Sequence, residues 1–213
     1  QAIFGISTIE TDSLALLCAG VALARPAGPT ASRLPRRSVP VSLGAATLSV
    51  VLVVASAYYL RADLFHGRGL SAFYAGQMAE SWEAESAAVA ANPLVDIYSC
   101  SLAEAAMYGG GPVTAALRSV ERGLELEPAS YDLALARARL LRSQGTDLDR
   151  TADAYAEAVR RYPLGITAAY EAIDAAVRAG RTDQARVMAE NLLVAYPDDP
   201  VAASLLERIG SGP

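Results

Sequence analysis

Lysine is absent from the 213-residue chain, and cysteine and histidine are rare. The single histidine, His66, has no second histidine or cysteine nearby to complete a zinc site, so we expect it at the surface. Cys18 and Cys100 fall in segments of different kinds, which argues against a disulfide or a thiolate metal centre. The glycines at 109–111 are followed by neither the lysine nor the hydroxyl of a phosphate-binding loop. We therefore expect no catalytic residue, no metal site and no cofactor.

Positive charge is also scarce in the second part of the chain. From Arg61 to Pro213 there are 14 arginines and 21 acidic residues, a net charge of −7. Such a surface repels phosphate groups instead of displacing their counterions, so nucleic acid is excluded as a partner. The whole chain is nevertheless 53% hydrophobic, with a mean hydropathy of +0.25. This apolar content is concentrated in particular segments.

Two apolar segments lie near the start of the chain. Residues 39–60 carry no charge and end in Tyr58 and Tyr59 beside Arg61, which is typical of a transmembrane helix with an interfacial aromatic pair. The alternative is a buried helix of a soluble domain. Residues 3–24 are a second candidate span, interrupted by Glu10 and Asp12. Membrane lipid is therefore an expected partner.

The segment between the two candidate spans, residues 25–38, has four arginines, three prolines and no acid. Short loops rich in arginine remain on the cytoplasmic side of a membrane. We therefore expect a membrane segment at 1–60, in which spans 3–24 and 39–60 flank a cytoplasmic loop at 25–38. Residues 61–213 would then form an extracytoplasmic domain.

A proline and a glycine recur in that domain at a nearly constant interval. The prolines are spaced 35, 35 and 34 residues apart, at Pro93, Pro128, Pro163 and Pro197. The glycines are spaced 35, 34 and 35 residues apart, at Gly76, Gly111, Gly145 and Gly180. Glycine can adopt the left-handed conformation that ends a helix, and proline cannot continue one. The period therefore predicts repeated pairs of short antiparallel helices.

The hydrophobic pattern predicts nine helices and no strand in this domain. They are expected at 62–75, 79–91, 95–108, 112–126, 130–143, 148–161, 165–179, 182–195 and 199–208. Pro112 suits a first helical turn, and Thr146 or Asp147 and Thr182 are candidate N-caps. The last helix is expected to close the open end of the array.

Small residues follow one side of each second helix. These positions are Ser81, Ala88, Ala116, Gly123, Thr151, Ala158, Ala185 and Leu192, with Val120, Tyr155 and Ala189 between them. The pattern resembles the tetratricopeptide repeat, which has a period of about 34 residues. The resemblance implies a right-handed α-solenoid of about four helix pairs plus a capping helix. Together with the two candidate transmembrane helices, this predicts an all-α protein.

The resemblance also implies that the first helices line a concave face, the usual ligand surface of a solenoid. Counting from the repeat prolines places six residues there: Tyr98, Tyr108, Leu133, Leu140, Tyr170 and Asp174. Tyrosine combines a large apolar body with a polar tip, which suits an extended peptide or a sugar chain. The alternative is that these tyrosines only cover the gaps between repeats.

The order of segments supports a second comparison. The opening stretch 1–8, a short span, a basic loop, a clean span and extracytoplasmic repeats resemble the carboxyl-terminal part of bacterial O-antigen ligase and polymerase-like membrane proteins. The resemblance implies a multi-pass protein of the bacterial plasma membrane whose parent transfers glycan from a lipid carrier. The family's functional residues would precede Gln1, so we expect this chain to be a non-catalytic piece of a longer protein.

Two functions follow from these expectations. In the first, the repeats recruit envelope proteins or a glycan acceptor for a cell-envelope glycan ligase or polymerase. In the alternative, the chain is a non-enzymatic, membrane-anchored scaffold for envelope protein assembly. The sequence before Gln1 would separate the two.

Overall fold

The computed structural model describes residues 39–145 and 147–210, with side chains from Thr47 onward. These residues form helices and connecting turns, with no strand among them. The helices are α1 (Val39–Tyr74), α2 (Met78–Ala91), α3 (Asp96–Met107), α4 (Val113–Leu126), α5 (Tyr131–Gln144), α6 (Leu148–Arg161), α7 (Ile166–Arg178), α8 (Thr182–Ala195) and α9 (Pro200–Gly210). The predicted boundaries agree within two residues from α2 onward.

Helix α1 joins two segments that the sequence predicted as separate. The span expected at 39–60 and the repeat helix expected at 62–75 form one continuous helix, because nothing between them stops a helix. From Thr47 to Tyr74 this helix is long and apolar enough to cross a membrane. The chain divides into two compact units within α1, after Arg61. The span at 3–24 and the loop at 25–38 lie outside the described residues.

The repeat unit from Ala62 onward is a succession of helix pairs. Neighbouring helices pack in chain order from α2 to α9, and α3 also packs directly on α5. The small-residue positions predicted on the second helices are buried without exception. Ala88, Ala158 and Ala189 have no exposed surface, which confirms the predicted register of α2, α6 and α8. The second helices therefore approach their neighbours through alanine-rich contacts, as in a tetratricopeptide array.

Glycine ends the first helix of each pair, although not always at the predicted position. Gly76, Gly145 and Gly180 have φ values of 76°, 65° and 72°, in the left-handed region expected for a helix-ending glycine. In the second pair this conformation belongs to Gly109, with φ 88°, so the prediction of Gly111 was wrong. Gly111 has another role, since a Cβ there would lie 2.1 Å from the Trp82 ring. It lets the turn pack closely on that side chain.

Side chains cap only some of the helices. Asp147 accepts a hydrogen bond from the backbone N–H of Arg150 at 2.8 Å, which confirms it as the N-cap of α6. Thr182 is the first residue of α8 and not its cap. The hydroxyl of Ser130 caps α5, and Asp199 accepts from two backbone N–H groups at the start of α9. Helix α9 also buries Ala202 and Ile209 against the preceding pair, as expected of a capping helix.

His66 is not a free surface residue. Its Nδ1 lies 3.0 Å from the carboxylate of Glu85, and the imidazole stacks at a tilt 5.2 Å from Tyr98. Glu85 is 1% exposed, and burial raises its pKa despite the histidine beside it. The Tyr98 hydroxyl donates to Asp63. These contacts join the end of α1 to α2 and α3, so His66 has a structural role.

Candidate interaction surface

The exposed sides of three first helices form the candidate site. We define the first-helix surface by Ile97, Cys100 and Glu104 of α3, Asp132, Arg139 and Arg142 of α5, and Thr167, Tyr170, Glu171 and Asp174 of α7. Each set has mostly helical spacings of three or four residues, so it occupies one side of its helix. Helix α3 packs on α5, and hydrogen bonds connect α5 to α7. The three sides are therefore adjacent.

The part of this surface between α3 and α5 is acidic. Burial raises the pKa of the Cys100 thiol to about 12, and Asp96, Asp132 and Glu104 act in the same direction. The thiol is therefore neutral at physiological pH and is not a nucleophile. Across residues 39–145 and 147–210, no group of three histidine, cysteine or acidic side chains could hold a metal ion. Ile97, nearly half exposed, adds an apolar side chain beside these charges.

The part between α5 and α7 is organised around Glu171. Its carboxylate accepts two hydrogen bonds from Arg139, at 2.6 and 3.1 Å from one oxygen, and lies 3.1 Å from Arg142. The buried Tyr155 of α6 donates its hydroxyl to the same carboxylate at 2.7 Å. Burial acts to raise the pKa of Glu171, but the bonds from Arg139 and Tyr155 outweigh it and hold the pKa below its ordinary value of 4.5. The carboxylate is ionised and joins two repeats.

Half of the residues predicted for the concave face are inside the protein. Tyr98 is 2% exposed, and Leu133 and Leu140 are fully buried in the core, so these three predictions were wrong. Tyr108 is 66% exposed and packs edge-on against Phe73 at 5.4 Å. These positions could not all contact a ligand.

The two predicted residues of α7 lie on the first-helix surface. Asp174 pairs with Arg178 one turn later, at 2.8 Å. Tyr170 is half-buried and donates to Asp199, which raises the pKa of the tyrosine to about 12. Tyr170 therefore connects α7 to the start of α9. This contact agrees with the alternative in which the tyrosines cover the gaps between repeats. A cleft of about 530 Å³ lies beside it.

A one-residue error in register explains the buried predictions. One residue turns an α-helix by about 100°, which moves a surface position into the core. Ile97 and Asp132 are exposed and Arg139 is half-buried, and each of them lies one residue before a predicted position. Leu140 and Asp174 both lie 23 residues before the next repeat proline, but the final proline interval is 34 instead of 35, so the count reaches a half-buried position in α7 instead of a core position. Glu104, Arg139 and Asp174 are spaced 35 residues apart. This charged series in the sequence would have predicted the first-helix surface.

The helix pairs, their glycine turns and their capping helix define a tetratricopeptide-like repeat fold, and similar solved structures agree. A crystal structure of MamA matches with a TM-score of 0.58 and 16% identity, over 68% of this chain and 79% of MamA. YrrB, described as a TPR protein with an unusual peptide-binding site, matches with a TM-score of 0.55 and 16% identity, over 81% of this chain and 85% of YrrB. No protein-family model and no curated protein matches the chain. The shared feature is the fold.

Proposed function

We propose that the repeat unit is a protein-interaction module whose first-helix surface binds an extended peptide segment of a partner. The observation that carries the proposal is the continuity of this surface over α3, α5 and α7, with Glu171 fixing α7 to α5. A surface held by such bonds loses little conformational freedom on binding, which favours affinity. The peptide-binding site named for YrrB, a protein of the same fold, is consistent with this use.

The chemistry of the surface favours a basic and partly apolar peptide. Asp96, Glu104 and Asp132 surround Cys100, so arginine or lysine side chains of a partner would be attracted there. Ile97 and Tyr108 are exposed on the same helix or at its end and can anchor aliphatic or aromatic side chains. Arg139 and Arg142 of α5 both pair with Glu171, which offsets part of their positive charge.

We expect peptides selected on the 213-residue chain from a random phage-displayed library to be enriched in basic residues. Binding of a selected synthetic peptide should weaken about tenfold with Ile97→Ser and with Glu104→Gln, since each removes one anchoring or charge contact. Isothermal titration calorimetry measures the change. Matched exposed variants on α8, Val194→Ser and Glu190→Gln, should bind normally. If the α3 variants and the α8 variants lost the same affinity, or if no variant lost affinity, the peptide would bind elsewhere.

The finer form of the proposal places the module in the bacterial cell envelope. We propose that α1 anchors the chain in the plasma membrane and that the repeats are extracytoplasmic. The charge-free stretch 39–60 within this helix supports anchoring, and the arginine-rich loop at 25–38 supports the orientation. The partner would then be an envelope protein or the glycan acceptor of a ligase-like or polymerase-like parent.

Thiol labelling tests this topology. In a background with Cys18→Ala and Cys100→Ala, Ser143→Cys places a near-isosteric thiol at an exposed position before the Gly145 turn. We expect it to react with a membrane-impermeant maleimide in intact cells, because the repeats face outward. Ser32→Cys, in the basic loop, should react only after the membrane is broken. The reverse pattern would invert the orientation, and labelling of both in intact cells would exclude a span between them.

The scaffold alternative shares this topology and differs in the parent protein. Further membrane spans and a large polar extracytoplasmic loop encoded before Gln1 would favour the glycan ligase or polymerase. A start codon immediately upstream would favour the scaffold. Sequencing the reading frame upstream of Gln1 therefore distinguishes the glycan ligase or polymerase from the scaffold.

A further inference from the structure

A second pocket lies away from the first-helix surface. It has a volume of about 350 Å³ and lies between α2 and α4, with α3 at its base. Ser99 and Leu102 of α3 line it, and these lie about half a turn around the helix axis from the side that carries Ile97 and Glu104. A ligand in this pocket would therefore not compete directly with a peptide on the first-helix surface.

One wall of the pocket is apolar and fixed in place. The ring of Trp82 and the side chains of Val89 and Leu102 line it. Trp82 packs against the turn at Gly111, where even a Cβ would clash with the ring, so the ring has little room to move. A wall of this kind accommodates an aliphatic side chain.

The other side of the pocket carries two arginines. Arg118 and Arg122 are four residues apart on α4, hence on one side of that helix, and both line the pocket. Among the residues that the structure describes, neither has an ion-pair partner, and the adjacent Glu121 pairs instead with Arg150. Like charges at this spacing repel each other. The pair stands out in a unit whose net charge is negative.

Two hydroxyl groups complete the polar part of the pocket. The Oγ atoms of Ser99 and Ser119 are 3.0 Å apart, so one hydroxyl donates to the other. The accepting hydroxyl keeps a hydrogen that it can donate to a further acceptor. Donors on one side and an apolar wall on the other match a ligand that has a carboxylate next to an aliphatic group.

We infer that this pocket binds an aliphatic carboxylate, with Arg118 and Arg122 holding the carboxylate and Trp82, Val89 and Leu102 contacting the aliphatic group. Guanidinium groups bind carboxylates through charge-assisted, often bidentate hydrogen bonds. The carboxyl-terminal leucine-like residue of a polypeptide and a small branched acid share this chemistry.

Trp82 is the only tryptophan, so its fluorescence reports on this pocket directly. The 213-residue chain in mild detergent is titrated with acetyl-Ala-Leu and with 4-methylpentanoate, and with the neutral amide of each. We expect a saturable change with at least one acid and binding at least tenfold weaker with its amide. Binding confined to acetyl-Ala-Leu assigns the pocket to a chain terminus, and tighter binding of 4-methylpentanoate assigns it to a small acid. Isothermal titration calorimetry on the same samples detects binding that does not change the fluorescence.

Arg118→Gln and Arg122→Gln should each weaken binding of the acid about tenfold, the loss of one charge-assisted contact. Both arginines are exposed, so the variants should keep the helical circular dichroism spectrum. Arg186→Gln, an exposed arginine on α8, removes the same charge elsewhere and should bind normally. Equal affinity for acid and amide, unchanged affinity in both arginine variants, or no binding by either method overturns the inference.

Discussion

Ala158→Glu should destabilise the repeat unit by several kcal/mol, because it places an unpaired charge in a packed helix contact. Ala158 has no exposed surface and lies in the largest cluster of buried residues, which extends from α3 to α7. Its counterparts five residues before the other repeat prolines, Ala88, Gly123 and Leu192, are buried as well. A whole domain is stable by only about 5–15 kcal/mol, so this one change removes a large part of that stability.

Thermal unfolding followed by circular dichroism measures the effect. Ala90→Glu is the matched control, because Ala90 is exposed near the end of another second helix. We expect the control to change the free energy of unfolding by less than about 0.5 kcal/mol. A melting temperature of Ala158→Glu equal to that of Ala90→Glu would contradict the packing described for α6.

The repeat period made most of the fold predictable. Glycine and proline act through their own backbones, so their positions gave the helix boundaries and most of the turns without knowledge of tertiary contacts. The turn at 109–111 shows the limit of this reasoning. Any of its three glycines can adopt a positive φ, but Gly109 has it, and Gly111 instead packs closely on Trp82.

The first-helix surface was predictable only in part. Neighbouring residues on a helix can be one buried and one exposed, so a family template counted from the repeat prolines placed Leu133 and Leu140 on the wrong side. The roles of Glu85 and Glu171 could not be read from their neighbours in sequence. Their partners, His66, Arg139 and Tyr155, come from other helices that only the fold brings together.

After Ala158→Glu, Glu171→Ala should have the next largest effect on stability. We expect it to lower the free energy of unfolding by on the order of 2–4 kcal/mol. Removing one member of a buried ion pair costs about 3–5 kcal/mol, and the partial exposure of Arg142 lowers this figure. The variant would leave the buried Tyr155 hydroxyl and the half-buried Arg139 without their common acceptor. Asp174→Ala is the control on the same helix. Its exposed pair with Arg178 should contribute about 0.5 kcal/mol or less.

The pH dependence of the loss distinguishes the ion network from simple packing. The pKa of Glu171 is lower in the folded protein than its ordinary value of 4.5, so ionised Glu171 stabilises the fold above that value. This stabilisation is lost as the pH falls below 4.5 and through the folded pKa, where the carboxylate becomes protonated in the folded state as well.

We therefore expect the difference in unfolding free energy between wild type and Glu171→Ala to be constant near neutral pH and to shrink in acid. Urea unfolding at pH 7 and at decreasing pH below 4.5 measures it. A difference that stays the same at every pH would assign the role of Glu171 to its shape and not to its charge.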